Sequence, residues 1–292
     1  MNTPVDFDIP RGACDCHVHI FDPARFRYDA GRRYTPPAAS IEDLRRLQAT
    51  LHFERVVVVQ PSVYAIDNFC TVNAVRELAG RACAVAVIDK SFSAADLDAL
   101  ARAGVRGVRV NLETAGENDP AAARRVLRET ADQLAGRDWH IQLYTRLSVI
   151  AALKDELAAL PFPVVVDHFG GAKAALGTGQ PGFGELLALV KSGRAYVKIS
   201  GAYRISDRNL DFPDVTELAQ ALVAANPERV VWGSDWPHPG RGASPTALAP
   251  PCPIDDGHVL NLLPKWVPEP ALRKKILVDN PARLYGFGPI AG

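Results

Sequence analysis

The sequence carries no excess of either charge: 33 Lys and Arg face 33 Asp and Glu. Such a balance leaves no electrostatic footprint for nucleic acid. No run of Lys or Arg points to an anionic membrane. No window approaches the roughly 18 continuous apolar residues of a spanning helix. The N-terminal stretch lacks a basic segment followed by an apolar one, so it does not read as a signal peptide. Cysteine is sparse and odd in number: Cys14, Cys16, Cys70, Cys83 and Cys252. That count in a long chain argues against a disulfide framework, and Cys14 and Cys16 stand too close for the common zinc-knuckle spacing. The expectation is a reduced, cytoplasmic protein. There is no Gly-rich phosphate loop and no Gly-x-Ser-x-Gly elbow, which disfavours a serine hydrolase.

What is present is a large apolar inventory, 48% of 292 residues, arranged as short apolar runs alternating with amphipathic stretches. Eight runs read as strands: 13–20, 55–62, 83–89, 105–111, 140–145, 164–170, 195–200 and 229–235. Several are rich in Val and Ile, as buried parallel strands should be. Between them, Ile150, Leu153, Leu157 and Leu160 share one helical face before Pro161 stops the helix. Ser40 with Asp43 is a weak capping start for another helix. Eight strand–helix units imply a closed (β/α)8 TIM barrel, an α/β fold, as one domain over 1–292, rather than a doubly wound open sheet. The longest irregular stretch, 236–256, follows the last strand and should lie over the barrel mouth, where a long loop is often functional.

In a barrel the chemistry comes from the C-terminal strand ends, and strand faces alternate with period two. On the first run Asp15, His17 and His19 share one face, while Cys14, Cys16, Val18 and Ile20 take the other and should face the helices. The same reasoning turns Gln60 and Ser62 inward against Val57 and Val59. It turns Arg109 and Asn111 inward on the fourth run, Gln142 and Tyr144 on the fifth, Lys198 and Ser200 on the seventh. His168 falls on the face of Val164 and Val166, and Asp235 on that of Val231 and Gly233. A lone strand histidine is usually structural, and Asp235 alone could merely cap a turn. The convergence of His17, His19, His168 and Asp235 on one barrel end is what points to an active site.

Several motifs occur in order: Cys-Asp-Cys-His-Val-His, Tyr-Thr-Pro-Pro, Val-Gln-Pro-Ser, Val-Asp-His-Phe-Gly-Gly, Ile-Ser-Gly-Ala-Tyr-Arg and Trp-Gly-Ser-Asp-Trp-Pro-His. Over nearly the whole chain they resemble the amidohydrolase superfamily, and within it the 2-pyrone-4,6-dicarboxylate lactonase-like branch. The His-x-His pair with the final Asp marks the superfamily; Tyr34, Ser62, Tyr144 and Arg204 are more specific to the branch. The resemblance implies a hydrolase that opens a small carboxylated lactone. Asp235 would be the general base, and His17, His19, His168 and Tyr144 would donate hydrogen bonds to the carbonyl oxygen. Arg109 and Arg204 would clamp a substrate carboxylate, with Ser62 and Tyr34 orienting the ring.

Many superfamily members hold divalent metals, and here His17, His19, His168 and Asp235 offer a zinc set on paper. The branch works without metal, however. Tyr144 stands where a further histidine ligand would end the fifth strand, and two inward arginines add positive charge. No cofactor is therefore expected, with zinc as the alternative. One departure bears on substrate: the branch has a second arginine shortly after the one matching Arg109, and 111–117 has none. Arg146 or Arg241 would have to replace it. A zinc-dependent hydrolase, an isomerase, a decarboxylase and a non-catalytic binding barrel remain as competing readings. The expected partner is a small anionic lactone, not nucleic acid or membrane, and the expected state is a monomer or small homo-oligomer.

Overall fold

The structure, a computed structural model, describes residues 2–289 except 209 and 241. The expected replacement cation Arg241 thus lies outside the described residues. Eight strands follow in chain order: β1 (Cys14–Val18), β2 (Arg55–Val59), β3 (Ala82–Ala86), β4 (Val105–Asn111), β5 (His140–Tyr144), β6 (Val164–Val166), β7 (Ala195–Ser200) and β8 (Val230–Gly233). They form one parallel sheet in sequential order, with helices between them, which is the TIM-barrel architecture. Among the described residues no helix is long and apolar enough to cross a membrane. Ser40 and Asp43 do form a reciprocal capping box at the helix Ile41–Leu51. The helix expected from Ile150, Leu153 and Leu157 is two pieces, Leu147–Ala152 and Lys154–Ala159, because Leu153 leaves the helical region.

β8 meets β1 through a seam that a side chain helps to build. Asp15 Oδ1 accepts from Ser234 N at 2.9 Å and from His17 N at 3.1 Å. Above it, Asp235 N donates to His17 O and His19 N to Trp236 O, both at 2.9 Å. The register of β1 against β2 shifts between Asp15 and Val18. A β-bulge of this kind puts neighbouring residues on the same face.

That bulge corrects part of the parity reading. Cys14 and Cys16 do not face the helices. They cluster with Val57, Val59, Cys83, Val85, Val165, Tyr196 and Val231, a set drawn from both sides of the barrel that can only meet inside it. Val18 and Ile20 do pack outward, with the helices. Val57 and Val59 point inward as well, so Gln60 is not a lining residue. Its amide donates to Ala65 O and Asp67 O and accepts from Thr71 Oγ1, which ties down the loop after β2. Val164 and Val166 belong to the outer layer. His168 therefore does not reach the mouth by alternation. The chain turns through left-handed backbone at His168 (φ 49°) and Phe169 (φ 54°) and carries the imidazole in.

The loop after β8 is pinned to the loop after β1. Ala249 N donates to Thr35 O, and Thr35 Oγ1 to Pro245 O, both at 2.7 Å. Tyr34 is thereby held at the mouth beside the long connection expected there.

The seam is tightest at Gly233. A Cβ at this position would lie 2.7 Å from His17 Cβ and 2.9 Å from His17 N. Gly233→Ala is expected to cost about 1–3 kcal/mol, the usual range for overpacking, read from urea unfolding at unchanged slope. An alanine variant as stable as the parent would show the seam to be slack.

Candidate active site

Asp235 sits just past β8 in left-handed backbone (φ 69°) and is fully buried. Its two oxygens have different surroundings. Oδ2 accepts from Tyr203 Oη at 2.7 Å and from Arg204 Nε. Oδ1 has no hydrogen-bond partner among the described residues. Facing it are His17 Nε2 at 3.6 Å, His19 Nε2 at 3.8 Å and His168 Nε2 at 3.8 Å. The four residues expected to converge do so. Burial alone would raise the Asp235 pKa, but Arg204 and the surrounding imidazoles outweigh it, and the carboxyl is held well below its usual range.

Each histidine is anchored through its other nitrogen. His19 Nδ1 donates to Val59 O at 2.7 Å, and His168 Nδ1 meets Ser200 Oγ at 2.9 Å. His17 Nδ1 lies 3.3 Å from Asp167 Oδ1 and 3.3 Å from Lys198 Nζ. Burial favours the neutral ring in all three: His19 is pushed down to about 3, with Arg109 adding to the effect, and His168 to about 4. His17 is lowered further, by burial and then by Lys198. A neutral His19 that gives its one proton to a carbonyl keeps only a lone pair at Nε2. The role expected of it, donation to a substrate carbonyl, is therefore closed to the neutral ring.

Below the histidines lies a charge cluster that sequence reasoning left without a role. Lys198 Nζ is fully buried and donates to Cys16 O at 2.9 Å, the carbonyl turned inward at the bulge, and to Gln142 Oε1 at 2.7 Å. Asp167 stands 3.5 Å from Lys198 Nζ, accepts from Gln142 Nε2 at 3.0 Å, and pairs with Arg109 Nη2 at 3.3 Å. Burial opposes ionisation of Asp167, yet Lys198 and His17 hold its pKa well below normal. The alternation that turns His168 inward turns Asp167 outward, which hid it in the sequence. The available signal was Lys198, an inward cation that needs a buried partner.

The remaining expected residues gather at the rim. Tyr144 packs edge-on to His168, 5.0 Å between centroids, with the Arg109 guanidinium 5.3 Å over its ring. Arg109 leaves its Nε without a partner among the described residues. Tyr34 hydrogen-bonds Ser62. Asn111 does not line the site; its side chain caps the short helix Leu112–Ala115 by accepting from Thr114 N. Arg204 is engaged through Nε with Asp235, an orientation the sequence did not reveal, and Tyr203 beside it is a second residue missed. From Tyr144, His168 and Arg204 a cavity of about 660 Å³ runs outward to Glu113, Arg146 and Lys173.

The donor set also fits a divalent cation. Ligand atoms of His17, His168 and Asp235 lie within 4.8 Å of one another. His17 Nε2 and Asp235 Oδ1 are both buried without partners. Imidazoles whose far nitrogens bond a carboxylate, a hydroxyl or a carbonyl are oriented as metal-bound histidines are.

An acidic strand-8 terminus facing a His-x-His pair, on a sequentially wound barrel, is the centre of an amidohydrolase-type protein. Residues 14–287 match the family model described as Amidohydrolase, and the chain belongs to that family. It is 37% identical over 290 residues to 4-sulfomuconolactone hydrolase of Rhizobium radiobacter, covering 98% of this chain and 93% of that protein. It is 36% identical over 291 residues to 2-pyrone-4,6-dicarboxylate hydrolase of Comamonas testosteroni, covering 96% and 92%. An apo crystal structure from Agrobacterium tumefaciens superimposes with a TM-score of 0.80 at 27% identity, covering 98% of this chain and all of that one.

Asp167→Asn would leave Lys198 and Arg109 buried with no anion between them. Removing one partner from a buried ionic cluster costs about 3–5 kcal/mol, and a loss of that order is expected in equilibrium urea unfolding. A loss below about 1 kcal/mol would show that the two cations are balanced by something else.

Proposed function

We propose that the chain hydrolyses a small anionic lactone, with Asp235 as the general base. The observation that carries this reading is Asp235 Oδ1: a buried carboxylate oxygen with no hydrogen-bond partner among the described residues, faced by three imidazoles and set behind His168 and Arg204, which line the cavity. The two curated hydrolases similar over nearly the full chain are named for a sulfomuconolactone and a pyrone dicarboxylate, both in keeping with this pocket.

The chain's own residues divide the work. A water between Asp235 Oδ1 and the lactone carbonyl gives its proton to Oδ1 as its oxygen bonds to the carbonyl carbon. Tyr203 and Arg204 fix the carboxylate through Oδ2, so Oδ1 faces the water. Charge building on the carbonyl oxygen is met by donors at the rim: Tyr144, and His168, which keeps a proton on Nε2 when Nδ1 accepts from Ser200. Preorganised donors of this kind contribute roughly 3–4 kcal/mol each. The ring C–O bond then breaks, and the departing oxygen takes the proton back from Asp235. Arg109 Nε and the outer nitrogens of Arg204 hold a substrate carboxylate, while Ser62 and Tyr34 close over the ring.

A second reading adds a divalent cation held by His17, His168 and Asp235. The lone pair that neutral His19 presents toward an anionic oxygen favours it, because two acceptors stabilise each other only through something positive. When bound there, such an ion would polarise the carbonyl and acidify the attacking water.

Asp235→Asn is expected to lower kcat on a carboxylated lactone by at least about 100-fold, while the Kd for the ring-opened product stays within a few-fold. A variant retaining a tenth of the activity would remove Asp235 from the base role. Mass spectrometry of the product should show the gain of one water; an unchanged mass would replace hydrolysis by isomerisation. Dialysis against a chelator should leave activity and Tm unchanged on the first reading; on the second it would lower both, and zinc would restore both in the parent but not in His17→Ala. Full activity in protein shown to be metal-free would leave the chemistry to the side chains alone.

A further inference from the structure

The outer half of the cavity carries charge that the proposed chemistry does not use. Arg146, one of the two cations expected to receive a second substrate carboxylate, is occupied. Its Nε and Nη2 donate to the two oxygens of Glu113 at 2.8 and 3.0 Å. Glu113 sits on the short helix after β4, where Asn111 caps the turn. The fork leaves that wall with no net charge.

The loop after β6 differs. Lys173 lines the same cavity and is in no ion pair among the described residues. Asp207, the other acid on the lining, comes from the loop after β7 and does not pair with it. The Lys173 backbone is held from both sides by the buried side chain of Gln180. Lys173 N donates to Gln180 Oε1 at 2.8 Å, and Gln180 Nε2 donates to Lys173 O at 3.1 Å and to Gly177 O at 2.7 Å. Just before it, Gly171 (φ +66°) brings the chain so close to β5 that a Cβ would stand 2.7 Å from Thr145 O. A loop lysine is thus mounted on a fixed base with its ammonium uncommitted.

We propose that Lys173 is the subsite for a second anionic group of the substrate, at the end of the cavity away from Arg204. This rests on reading the cavity as a lactone pocket. The substrate class narrows to flat rings with two oxyanions, one placed for the guanidiniums of Arg109 and Arg204 and the other for an ammonium. A point charge on a flexible stem suits a carboxylate or a sulfonate alike, since it does not impose the two-pronged geometry of an arginine. Glu113 takes part by removing Arg146 from competition for that group.

The test is calorimetric binding of two unreactive probes, isophthalate with two carboxylates and benzoate with one. The parent should bind isophthalate more tightly. Lys173→Ala should raise the isophthalate Kd about fivefold or more at low salt, with the benzoate Kd changed less than about twofold, and Lys173→Arg should recover most of the loss. An isophthalate affinity indifferent to Lys173→Ala would overturn the proposal. So would an equal loss in Arg146→Ala, or a parent that prefers benzoate. Because neither probe reacts, the outcomes separate. Lactone opening together with an indifferent Lys173 sinks only this inference, whereas Lys173-dependent binding without lactone opening sinks only the lactonase reading.

Discussion

The barrel mouth depends on a buried anion between two buried cations. Asp167 faces Lys198 at 3.5 Å and Arg109 at 3.3 Å, with Gln142 bridging to both Asp167 and Lys198. A hydrophobic replacement of such a cluster is often no less stable, so stability alone does not account for it. What the cluster supplies is placement. Lys198 reaches across the barrel to the Cys16 carbonyl that the β1 bulge turns inward, and Asp167 takes up the near nitrogen of His17. The bulge, the first histidine and the strand-4 arginine are therefore held by one set of contacts. The carboxylate of Asp235 then has a fixed floor to face.

Above that floor the restraints are of a different kind. Asp235, Tyr203 and Arg204 lock together through one carboxylate oxygen. The β1 and β8 loops are stitched at Thr35, which sets Tyr34 over the site. The side toward Glu113, Arg146 and Lys173 carries exposed charged ends on fixed backbones. The half of the site around Asp235 is closed and held by hydrogen bonds, and the half toward Glu113, Arg146 and Lys173 is open and charged. On the proposed reading, this division would let substrate range vary without disturbing the carboxylate.

The strand count and order were legible in the sequence because apolar runs and amphipathic stretches alternate regularly, and the four convergent residues because each stands at the same end of its strand. Arg109, Tyr144, Lys198, Ser200 and Asp235 lie where period two put them. Two of the errors fall where the backbone stops being regular, and the third is the face assigned to the regular strand β2. The β1 bulge reverses the faces of Cys14 and Cys16, the inward set on β2 is Val57 and Val59, and His168 arrives through left-handed backbone rather than along β6. A bulge costs one residue and leaves no composition signal, so alternation cannot find it. The occupants of polar atoms were equally hidden. Nothing in the sequence pairs Arg146 with Glu113 or turns Arg204 Nε to Asp235, because those pairings join different βα loops.

The histidine pair shows how far a hydrogen-bond inventory moves a reading of chemistry. Two inward histidines suggest donors or ligands with equal force while only their direction is known. Once His19 Nδ1 is bonded to the Val59 carbonyl and burial keeps the ring neutral, the proton has been spent on the backbone. The nitrogen facing Asp235 is then an acceptor facing an acceptor. His17 Nδ1 stands 3.3 Å from both the Asp167 carboxylate and the Lys198 ammonium, and His168 stands opposite a hydroxyl that both gives and accepts, so these two rings keep a choice of tautomer. The floor thus sets the His19 lone pair beside the Asp235 carboxylate, acceptor against acceptor. On the proposed reading, a water arriving there would be turned to offer its hydrogens to these two acceptors and its oxygen lone pair upward, the orientation that attack on a carbonyl above it requires. A cation seated on the same lone pairs would present a bound water with the same polarity, so the arrangement of the floor is common to both readings of the chemistry.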